Sequence, residues 1–385
     1  MFYQNRLLIL FIIVCFILPC YAAENSHESP APLEPEIRTT VFERGEVGYH
    51  SFRIPALLST PRGTLLAFAE GRKHNLKDSG DIDLVLKRSE DQGKTWSDLA
   101  VIWNDAENTC GNPCPVVDQT TGRIWLPLTW NHGKDHANQI RDQSGHDTRR
   151  VFMSYSDDDG LTWKRPYEVT ESTKKPEWTW YATGPGNGIQ LTRGKYKGRL
   201  VIPCDHNVTL QGSVIRRAHA IFSDDHGKSW KVSEPIGEKT NECAVVELAD
   251  GRLLMNMRSY HGKNRRAIAF SEDGGATWSD VTLDQALIEP VCQASLIRAR
   301  FPAAEKPGQI LFSNPASQKR EKMVVRLSED DGRTWKTSRL VTAGSAAYSS
   351  LVEIGSGEIG LLYERDGYRT IEYVAFQLAA FQPGP

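Results

Sequence analysis

The amino-acid sequence predicts an all-β fold, a six-bladed β-propeller. Three observations lead to this prediction: six β-rich hairpin segments, five copies of one octapeptide and almost no helical periodicity. Each hairpin segment places a glycine-containing turn between two short apolar runs, which is the pattern of an antiparallel hairpin. The hairpins begin at residues 54, 115, 188, 244, 295 and 350. The octapeptides, of which the first reads "SEDQGKTW", begin at Ser89, Ser156, Ser223, Ser271 and Ser328.

A third strand follows each of the first five hairpins and leads into an octapeptide. After the first hairpin, Ile82, Leu84 and Leu86 alternate with polar residues, which is the period of a half-buried strand. Each unit is therefore a hairpin, a third strand, an octapeptide turn and a fourth strand, which together make one propeller blade. The sixth hairpin is followed by "TIEYVAFQLAA" without an octapeptide, so we expect the early strand 37–43 to close the ring against it.

The octapeptide is predicted to belong to the frame of the fold. In such a turn the Asp accepts backbone N–H bonds, the Gly permits a positive φ angle and the Trp packs between blades. A calcium loop is not expected, because the segment lacks further acidic positions and a terminal Glu. If strand one of each blade runs downward, the hairpin turns and the octapeptides lie at the lower end. Residues before strand one, and between strands two and three, then lie on the upper face.

The chain of 385 residues opens with "MFYQNRLLILFIIVCFILPCYAA", which has the length and composition of an export signal. We therefore expect a signal peptide at 1–23, a flexible lead-in rich in Pro, Glu and Ser at 24–36, and a propeller domain at 37–385. The apolar run ends too early for a membrane anchor, so no membrane insertion is expected after cleavage. The mature protein is expected in the periplasm, outside the cell or on the cell surface.

Charge and cysteine content argue against several classes of partner. The formal net charge of -2 becomes -3 when Arg6 is removed with the signal, so no nucleic-acid partner is expected. Five cysteines then remain, without the second pair or nearby histidines of a zinc site. No metal and no organic cofactor is expected. A Cys110–Cys114 disulfide is possible, but no sequence feature supports it. The oligomeric state does not follow from the sequence.

Strand parity sends a group of charged and phenolic side chains to the upper face. Guanidinium groups bind carboxylates through paired, charge-assisted hydrogen bonds. Three or more arginines around one depression therefore indicate a ligand that carries a carboxylate. The residues placed on this face are Arg53, Arg72, Asp78, Glu242, Arg258, Arg320, Tyr348 and Glu364.

The motifs that contain these residues resemble those of a known enzyme family. In chain order they read "FRIP", "AEGRKHNLKDSGDIDLVLKRS", "NECAVVEL", "NMRSY", "SNPASQKREKMVVRLS" and "AYSSL", interspersed with the five octapeptides, or Asp boxes. The combination runs from about residue 38 to the end of the chain. It is similar to the exo-α-sialidases (neuraminidases) of the bacterial and mammalian lysosomal type, which are glycoside hydrolases. Asp boxes alone would not suffice, since non-catalytic propellers carry them too.

The resemblance implies a role for each residue of the upper face. It makes Asp78 the acid/base, Tyr348 the nucleophile and Glu242 the partner that takes the proton of the tyrosine. It also implies an arginine triad that holds the carboxylate of sialic acid, namely Arg53, Arg258 and Arg320. Arg326 lies in the same motif as Arg320 but inside a strand, so Arg320 is the residue that we expect in the triad.

The resemblance also implies supporting residues around this centre. Glu364 is expected to steady Arg53, and Arg72 is expected beside Asp78. Asn112, in "GNPCPVVD", is a candidate substrate contact at a position where relatives often carry Asp. The long inserts 129–147 and 174–184 are expected on the upper face, where they either form subsites for the rest of the glycan or simply cover the blades.

The predicted function is that of a retaining exo-α-sialidase, which hydrolyses terminal α-linked sialic acids from glycoproteins, glycolipids or oligosaccharides. Sialic acid carries its own carboxylate at the anomeric carbon, so an anionic nucleophile would approach against like charge, whereas a phenol would not. The alternatives are a trans-sialidase, a relative specific for a deaminated sialic acid, and a sialic-acid-binding propeller without catalysis. The presence of Asp78, Tyr348 and Glu242 together argues against the last alternative.

Overall fold

The computed structural model describes residues 30–304 and 306–381, together with Met1. Antiparallel sheets form six blades around a central axis, which confirms the predicted β-propeller. The described part also contains two short helices, α1 (Ala137–Asp142) and α2 (Thr170–Thr173). Neither of them approaches the length and apolar character that a bilayer-spanning helix requires. The predicted signal peptide, apart from Met1, and residues 24–29 of the predicted lead-in lie outside the described residues.

Within each blade, the strands follow one another from the central axis of the propeller to the outer edge of the blade. Before the first blade come β1 (Ala31–Pro32) and β2 (Ile37–Glu43). Blade 1 contains β3 (Ser51–Ser59), β4 (Leu65–Arg72), β5 (Ile82–Ser89) and β6 (Ala100–Trp103). Blade 2 contains β7 (Thr109–Gly111), β8 (Val116–Val117), β9 (Ile124–Asn131), β10 (Arg150–Ser156) and β11 (Tyr167–Glu168). Blade 3 contains β12 (Trp178–Thr183), β13 (Ile189–Gln190), β14 (Leu200–Leu210), β15 (Ser213–Ser223) and β16 (Lys231–Val232).

The second half of the ring repeats the same order. Blade 4 contains β17 (Thr240–Glu247), β18 (Leu253–Ser259), β19 (Arg265–Ser271) and β20 (Thr282–Ile288). Blade 5 contains β21 (Ser295–Arg300), β22 (Gln309–Pro315), β23 (Glu321–Ser328) and the first part of β24 (Thr337–Gly355). Blade 6 contains the rest of β24, then β25 (Glu358–Arg365), β26 (Thr370–Gln377) and, as its outer strand, β2. Because β24 belongs to both sheets, blades 5 and 6 share one continuous strand of 19 residues.

The ring closes between the beginning and the end of the chain. Strand β2 pairs antiparallel with β26, from Ile37 opposite Ala375 to Glu43 opposite Thr370. The early strand predicted at 37–43 is therefore the fourth strand of blade 6. A propeller closed in this way leaves no open edge between its first and last blades.

Residues 31–33 of the predicted lead-in contact the propeller. Strand β1 pairs in parallel with β24, with Ala31 opposite Arg339 and Pro32 opposite Leu340, and Leu33 is buried in the core between blades 5 and 6. The physical reason is that one apolar side chain and the free edge of blade 5 together hold the segment. A prediction from Pro, Glu and Ser content alone does not register either feature.

The apolar core lies in the spaces between neighbouring blades. Six clusters of buried apolar side chains occupy these spaces, one for each pair of adjacent blades. Between blades 1 and 2, for example, Leu84 packs in the same cluster as Leu126, and between blades 6 and 1 the cluster contains Leu57 and Tyr373. Burial of these side chains fixes the position of each blade against the next and so the geometry of the upper face.

The five octapeptides are structural turns, as predicted. In the first, both carboxylate oxygens of Asp91 accept hydrogen bonds from Thr95, one from its backbone N–H at 2.9 Å and one from its hydroxyl at 2.7 Å. The Ser89 hydroxyl donates to the same carboxylate and accepts the N–H of Gly93, whose φ angle is +89°. The same pattern recurs around Asp158, Asp225, Asp273 and Asp330.

Each octapeptide packs its glycine against the blade that precedes it. A Cβ atom on Gly227 would lie 2.2 Å from the indole ring of Trp125 in blade 2, and one on Gly93 would lie 2.1 Å from Tyr373 in blade 6. The indole N–H of Trp125 also donates to the carbonyl of His226 at 3.1 Å. The octapeptides therefore connect blades at the lower end of the propeller.

This contact predicts a large difference between two glycine substitutions. Gly227→Ala is expected to lower the free energy of unfolding by about 3 kcal/mol, because the new methyl group overlaps the Trp125 ring and the backbone is also strained. Gly212→Ala has a similar positive φ of +76° but open space around its Cβ, so a loss of about 1 kcal/mol is expected. Urea unfolding of both variants measures the difference. Equal losses would show that Gly227 serves only the turn conformation.

Candidate active site

The predicted residues of the upper face lie together around one tyrosine. Arg53 and Arg320 place their guanidinium carbons 5.1 and 5.5 Å from the centre of the Tyr348 ring. Arg258 contacts the hydroxyl of the same tyrosine at 3.3 Å. The side chains come from β3, β18, β24 and the loop before β23, which belong to four different blades. The parity argument therefore placed residues from distant parts of the sequence in one cup.

A buried carboxylate connects Arg53 to the strand that carries Tyr348. Glu364 on β25 is fully buried and binds Arg53 through both oxygens, at 3.0 and 3.1 Å. The same carboxylate accepts the backbone N–H of Ile54 at 2.9 Å and of Tyr348 at 3.1 Å. Four donors thus satisfy one carboxylate, and Arg53 is held with its remaining nitrogen, Nη1, toward Asp78.

Tyr348 and Glu242 form a short hydrogen bond at the floor of the cup. The phenol donates to one oxygen of Glu242 at 2.5 Å, and the other oxygen of Glu242 pairs with Arg258 at 2.8 Å. Burial, followed by the negative charge of Glu242, raises the pKa of Tyr348 well above its ordinary value. The phenol is therefore protonated at neutral pH, and Glu242 is the group placed to receive its proton.

Arg320, rather than Arg326, belongs to the cup. Its guanidinium donates to the hydroxyl of Tyr368 at 2.8 Å and lies over the ring of Tyr348. Arg326 lies inside β23 and donates to Asn314 at 3.0 Å. Burial lowers the pKa of Arg326 to about 10. The expectation that Arg320 faces the ligand while Arg326 lies inside a strand is therefore consistent with the structure.

Asp78 is the most exposed acid of the cup and is flanked by two arginines. Its carboxylate lies 2.9 Å from Arg72 and 3.4 Å from Arg53, and 67% of its side chain is exposed to solvent. Partial burial would raise the pKa of Asp78, but the charges of Arg72 and Arg53 outweigh it and lower the pKa below its ordinary value. In the free protein Asp78 is therefore ionised at neutral pH.

Two residues that the sequence argument missed hold this part of the cup in place. Glu70 binds Arg72 from one oxygen at 2.6 and 3.2 Å, and its other oxygen accepts the backbone N–H of Asn112 at 3.0 Å. Arg149 is buried and donates to the side-chain oxygen of Asn112 at 2.5 Å. Asn112 itself has a φ of +53°, and its amide nitrogen has no hydrogen-bond partner among the described residues.

Sequence signals for the missed residues exist but are weak. Glu70 stands two residues before Arg72 in "AEGR", on the same side of strand β4, and Arg149 belongs to the charged pair at the end of the 129–147 insert. Tyr368, which receives the Arg320 hydrogen bond, lies in a turn with a φ of +66°. The strand order places all three residues at the upper end of a blade, but it does not indicate which side chains contact one another.

One cluster in the 129–147 insert has the side-chain types of a metal site. His132, Asp135 and His146 place one potential ligand atom each within 4.8 Å of one another. Hydrogen bonds already explain the buried Asp135, because it contacts the His146 ring at 2.7 Å and accepts the backbone N–H groups of His146 and Asp147. The two histidine rings are stacked, so their nitrogen lone pairs do not converge on one point. The cluster therefore stabilises the insert.

The cysteine thiols take no part in this chemistry. All five cysteines of the described residues are free and buried, including Cys110 and Cys114. Burial raises the pKa of Cys292, which lies beneath the cup, to about 11, so its thiol stays protonated at neutral pH. The Cys110–Cys114 disulfide, which was possible from the sequence, is not formed.

Comparisons with known proteins agree with this fold and this set of motifs. Residues 63–361 match the family model described as a BNR repeat-like domain, which defines the chain as a BNR-repeat β-propeller. A sialidase of Micromonospora viridifaciens is 35% identical over 87% of this chain, and the match spans about half (53%) of that longer protein. An exo-alpha-sialidase of Aspergillus fumigatus is 32% identical over 99% of this chain and 98% of its own length. The chain therefore belongs to the sialidase family, a group of glycoside hydrolases.

Solved structures support the same assignment. A sialidase described as Hadza microbial sialidase Hz136 superposes with a TM-score of 0.81 at 31% identity, over 90% of this chain and 69% of that one. A leech intramolecular trans-sialidase superposes with a TM-score of 0.76 at 21% identity, over 90% of this chain and 71% of that one. The second likeness shows a shared fold.

The arginines beside Asp78 make its acidity testable in the free protein. Arg72→Gln is expected to raise the pKa of Asp78, because the nearest cation is removed while the burial remains. Carboxyl titration by NMR on protein labelled at aspartate measures the shift. The matched control is Arg150→Gln, which removes an arginine that pairs with Asp147 and Glu168 in blade 2. An unchanged pKa of Asp78 in the Arg72 variant would contradict the assigned cause.

Proposed function

We propose that this protein is a retaining exo-α-sialidase that hydrolyses terminal α-linked sialic acids from sialylated glycans. The observation that carries the proposal is the Tyr348–Glu242 pair at 2.5 Å beneath Arg53, Arg258 and Arg320. A phenol next to a carboxylate base, inside a ring of cations, is the arrangement required to attack an anomeric centre that carries its own negative charge.

The three arginines are proposed to bind the carboxylate of the sugar. Arg53 and Arg258 are each held by a glutamate, and Arg320 is held by the phenol of Tyr368, so their directions are fixed before a ligand arrives. A preorganised guanidinium loses little rotamer freedom on binding. The carboxylate fixes the anomeric carbon over Tyr348 and leaves the glycosidic oxygen toward Asp78.

Glycosyl transfer to Tyr348 is proposed to proceed with Glu242 as base. As the phenol oxygen forms its bond to the anomeric carbon, the phenolic proton passes to Glu242, and the bond to the leaving oxygen breaks. Asp78 donates a proton to that oxygen. In the second step Asp78 removes a proton from water, the water oxygen displaces Tyr348, and the proton on Glu242 returns to the phenol, so the configuration is retained.

Substrate binding is proposed to set the protonation state of Asp78. In the free protein Arg72 and Arg53 favour its ionised form, which cannot donate a proton. A bound sugar carboxylate offsets the positive charge of the triad and raises the pKa of Asp78 in the complex. The acid form is thus favoured where it is needed.

We also propose that the enzyme is exported and acts in the periplasm, outside the cell or at the cell surface. The support for this location is the N-terminal segment, which has the sequence of a signal peptide.

Replacement of the nucleophile gives a direct test. Tyr348→Phe is expected to lower kcat on a fluorogenic α-sialoside by about 100-fold or more, because the attacking oxygen is lost while the arginine cup remains. The matched control is Tyr368→Phe, which removes a phenol from the same cup and is expected to cost less than about tenfold. Binding of free sialic acid, measured by calorimetry, should persist in both variants. Undiminished turnover by Tyr348→Phe would remove the tyrosine from this role.

The stereochemistry of the product tests the retaining mechanism and separates hydrolysis from transfer. Proton NMR at early times is expected to show the α-anomer of sialic acid, which later converts to the β form. First release of the β-anomer would exclude the covalent intermediate on Tyr348. Added lactose is expected to leave the yield of free sialic acid unchanged, whereas a sialylated lactose product would identify a trans-sialidase.

The pH profile tests the link between substrate and Asp78. Both kcat and kcat/KM are expected to fall as pH rises through the pKa of Asp78, because the protonated acid is required. The descending limb of kcat reports the complex and is expected at higher pH than that of kcat/KM, which reports the free enzyme. Coincident limbs would contradict an effect of the bound carboxylate on Asp78.

A further inference from the structure

Two arginines of the upper face, Arg141 and Arg216, are not used by the proposed reaction. Neither makes an ion pair with any residue that the structure describes. Arg141 lies on α1 in the insert between β9 and β10, and Arg216 lies on β15, four residues after the β14–β15 turn. Both segments join strands two and three of a blade, so both arginines lie at the upper end.

Aromatic rings hold these arginines near the cup. The guanidinium of Arg141 lies 5.0 Å from the centre of the Trp180 ring, and that of Arg216 lies 4.8 Å from the Tyr260 ring. Tyr260 is partly exposed and also contacts Arg258 of the triad, at 5.2 Å. The aromatic contacts fix the guanidinium planes. Arg141 donates to the side-chain oxygens of Asn138 at 3.2 Å and Asn207 at 2.9 Å, and the Arg216 guanidinium has no hydrogen-bond partner among the described residues, so neither cation meets an acidic side chain.

The local charge around this pair is not balanced. Asn207 lies beside both arginines, because it is opposite Arg216 in the β14–β15 pairing and its side-chain oxygen accepts a hydrogen bond from Nε of Arg141 at 2.9 Å. Burial, followed by the charge of Arg216, lowers the pKa of Arg141. A nearby acid, Asp205, is fully buried, and one oxygen of its carboxylate accepts a hydrogen bond from the Asn241 amide at 2.6 Å. Burial, followed by the charge of Glu242, raises the pKa of Asp205 well above its ordinary value, which favours its neutral form. An anion between the arginines would relieve their repulsion.

We propose that Arg141 and Arg216 form a second anion subsite, which binds a further negatively charged group of the glycan in addition to the carboxylate held by the triad. The group is a carboxylate of a second acidic sugar or a sulfate ester, since a guanidinium recognises both through paired hydrogen bonds. The proposal rests on the proposed function, because it concerns the same substrate. It predicts a preference for glycans with two negative charges over glycans with one.

The test compares three substrates in four proteins. The substrates are sialyllactose, with one negative charge, α2,8-disialyllactose, with a second carboxylate, and a sialyllactosamine that carries a sulfate ester. The proteins are the wild type, Arg141→Gln, Arg216→Gln and the control Arg217→Gln. Arg217 is the next residue on the same strand, and it pairs with Glu238 at 2.8 Å. Release of sialic acid gives kcat/KM for each combination.

The proposed subsite is tested by one ratio, namely kcat/KM for a doubly charged substrate divided by kcat/KM for sialyllactose. Arg141→Gln and Arg216→Gln are each expected to lower this ratio by about tenfold for at least one doubly charged substrate, as expected from the loss of one charge-assisted contact. Arg217→Gln is expected to leave the ratio within about twofold of wild type. The substrate whose ratio falls identifies the group as carboxylate or sulfate. Ratios unchanged for both doubly charged substrates would overturn the subsite.

A binding measurement separates failure of the subsite from failure of the proposed function. If the wild type releases sialic acid from none of the three substrates, the proposed function fails. Calorimetry then compares the affinity of wild type and Arg216→Gln for the doubly charged glycans and sialyllactose. A selective loss of affinity for a doubly charged glycan would support the subsite without catalysis, and equal affinities would overturn it.

Discussion

The cup on the upper face depends on the carboxylate of Glu364. This one buried group binds Arg53 with both oxygens and accepts the backbone N–H groups of Ile54 and Tyr348. It therefore joins the inner strand of blade 1 to the inner strand of blade 6 at the point where Arg53 and Tyr348 meet. A buried carboxylate without such donors would be neutral or would destabilise the fold. The ion pair with Arg53 and the two backbone hydrogen bonds therefore stabilise Glu364 together.

Two further glutamates hold arginines of the cup in a similar way. Glu242 holds Arg258 and receives the Tyr348 hydrogen bond, and Glu70 holds Arg72, which in turn faces Asp78. Each acid that fixes an arginine is less exposed than Asp78, which stays open to solvent. The arrangement separates the buried acids that position cations from Asp78, the acid of the cup that is open to solvent.

The sequence was sufficient for the blades and for the inner residues of the cup, because both follow from strand period and chain direction. Arg320 stands before β23, at its upper end, whereas Arg326 is six residues further toward the lower end, and the difference could be predicted from position alone. Strand order did not identify Arg149 as a residue of the cup, because its contacts with Asn112 and Trp180 depend on tertiary packing. The pairing of β1 with blade 5 was missed for a similar reason, because it depends on one buried leucine and an unoccupied strand edge.

Strand β2 completes blade 6 from the opposite end of the chain, and this has a consequence for biosynthesis. The outer strand of the last blade is made first and must wait for β26, more than three hundred residues later, before it has a partner. A nascent chain can assemble blades one after another, but the ring stays open until the ribosome has released the final segment. The pairing of β2 with β26 is therefore the last contact between blade strands that the growing chain can make.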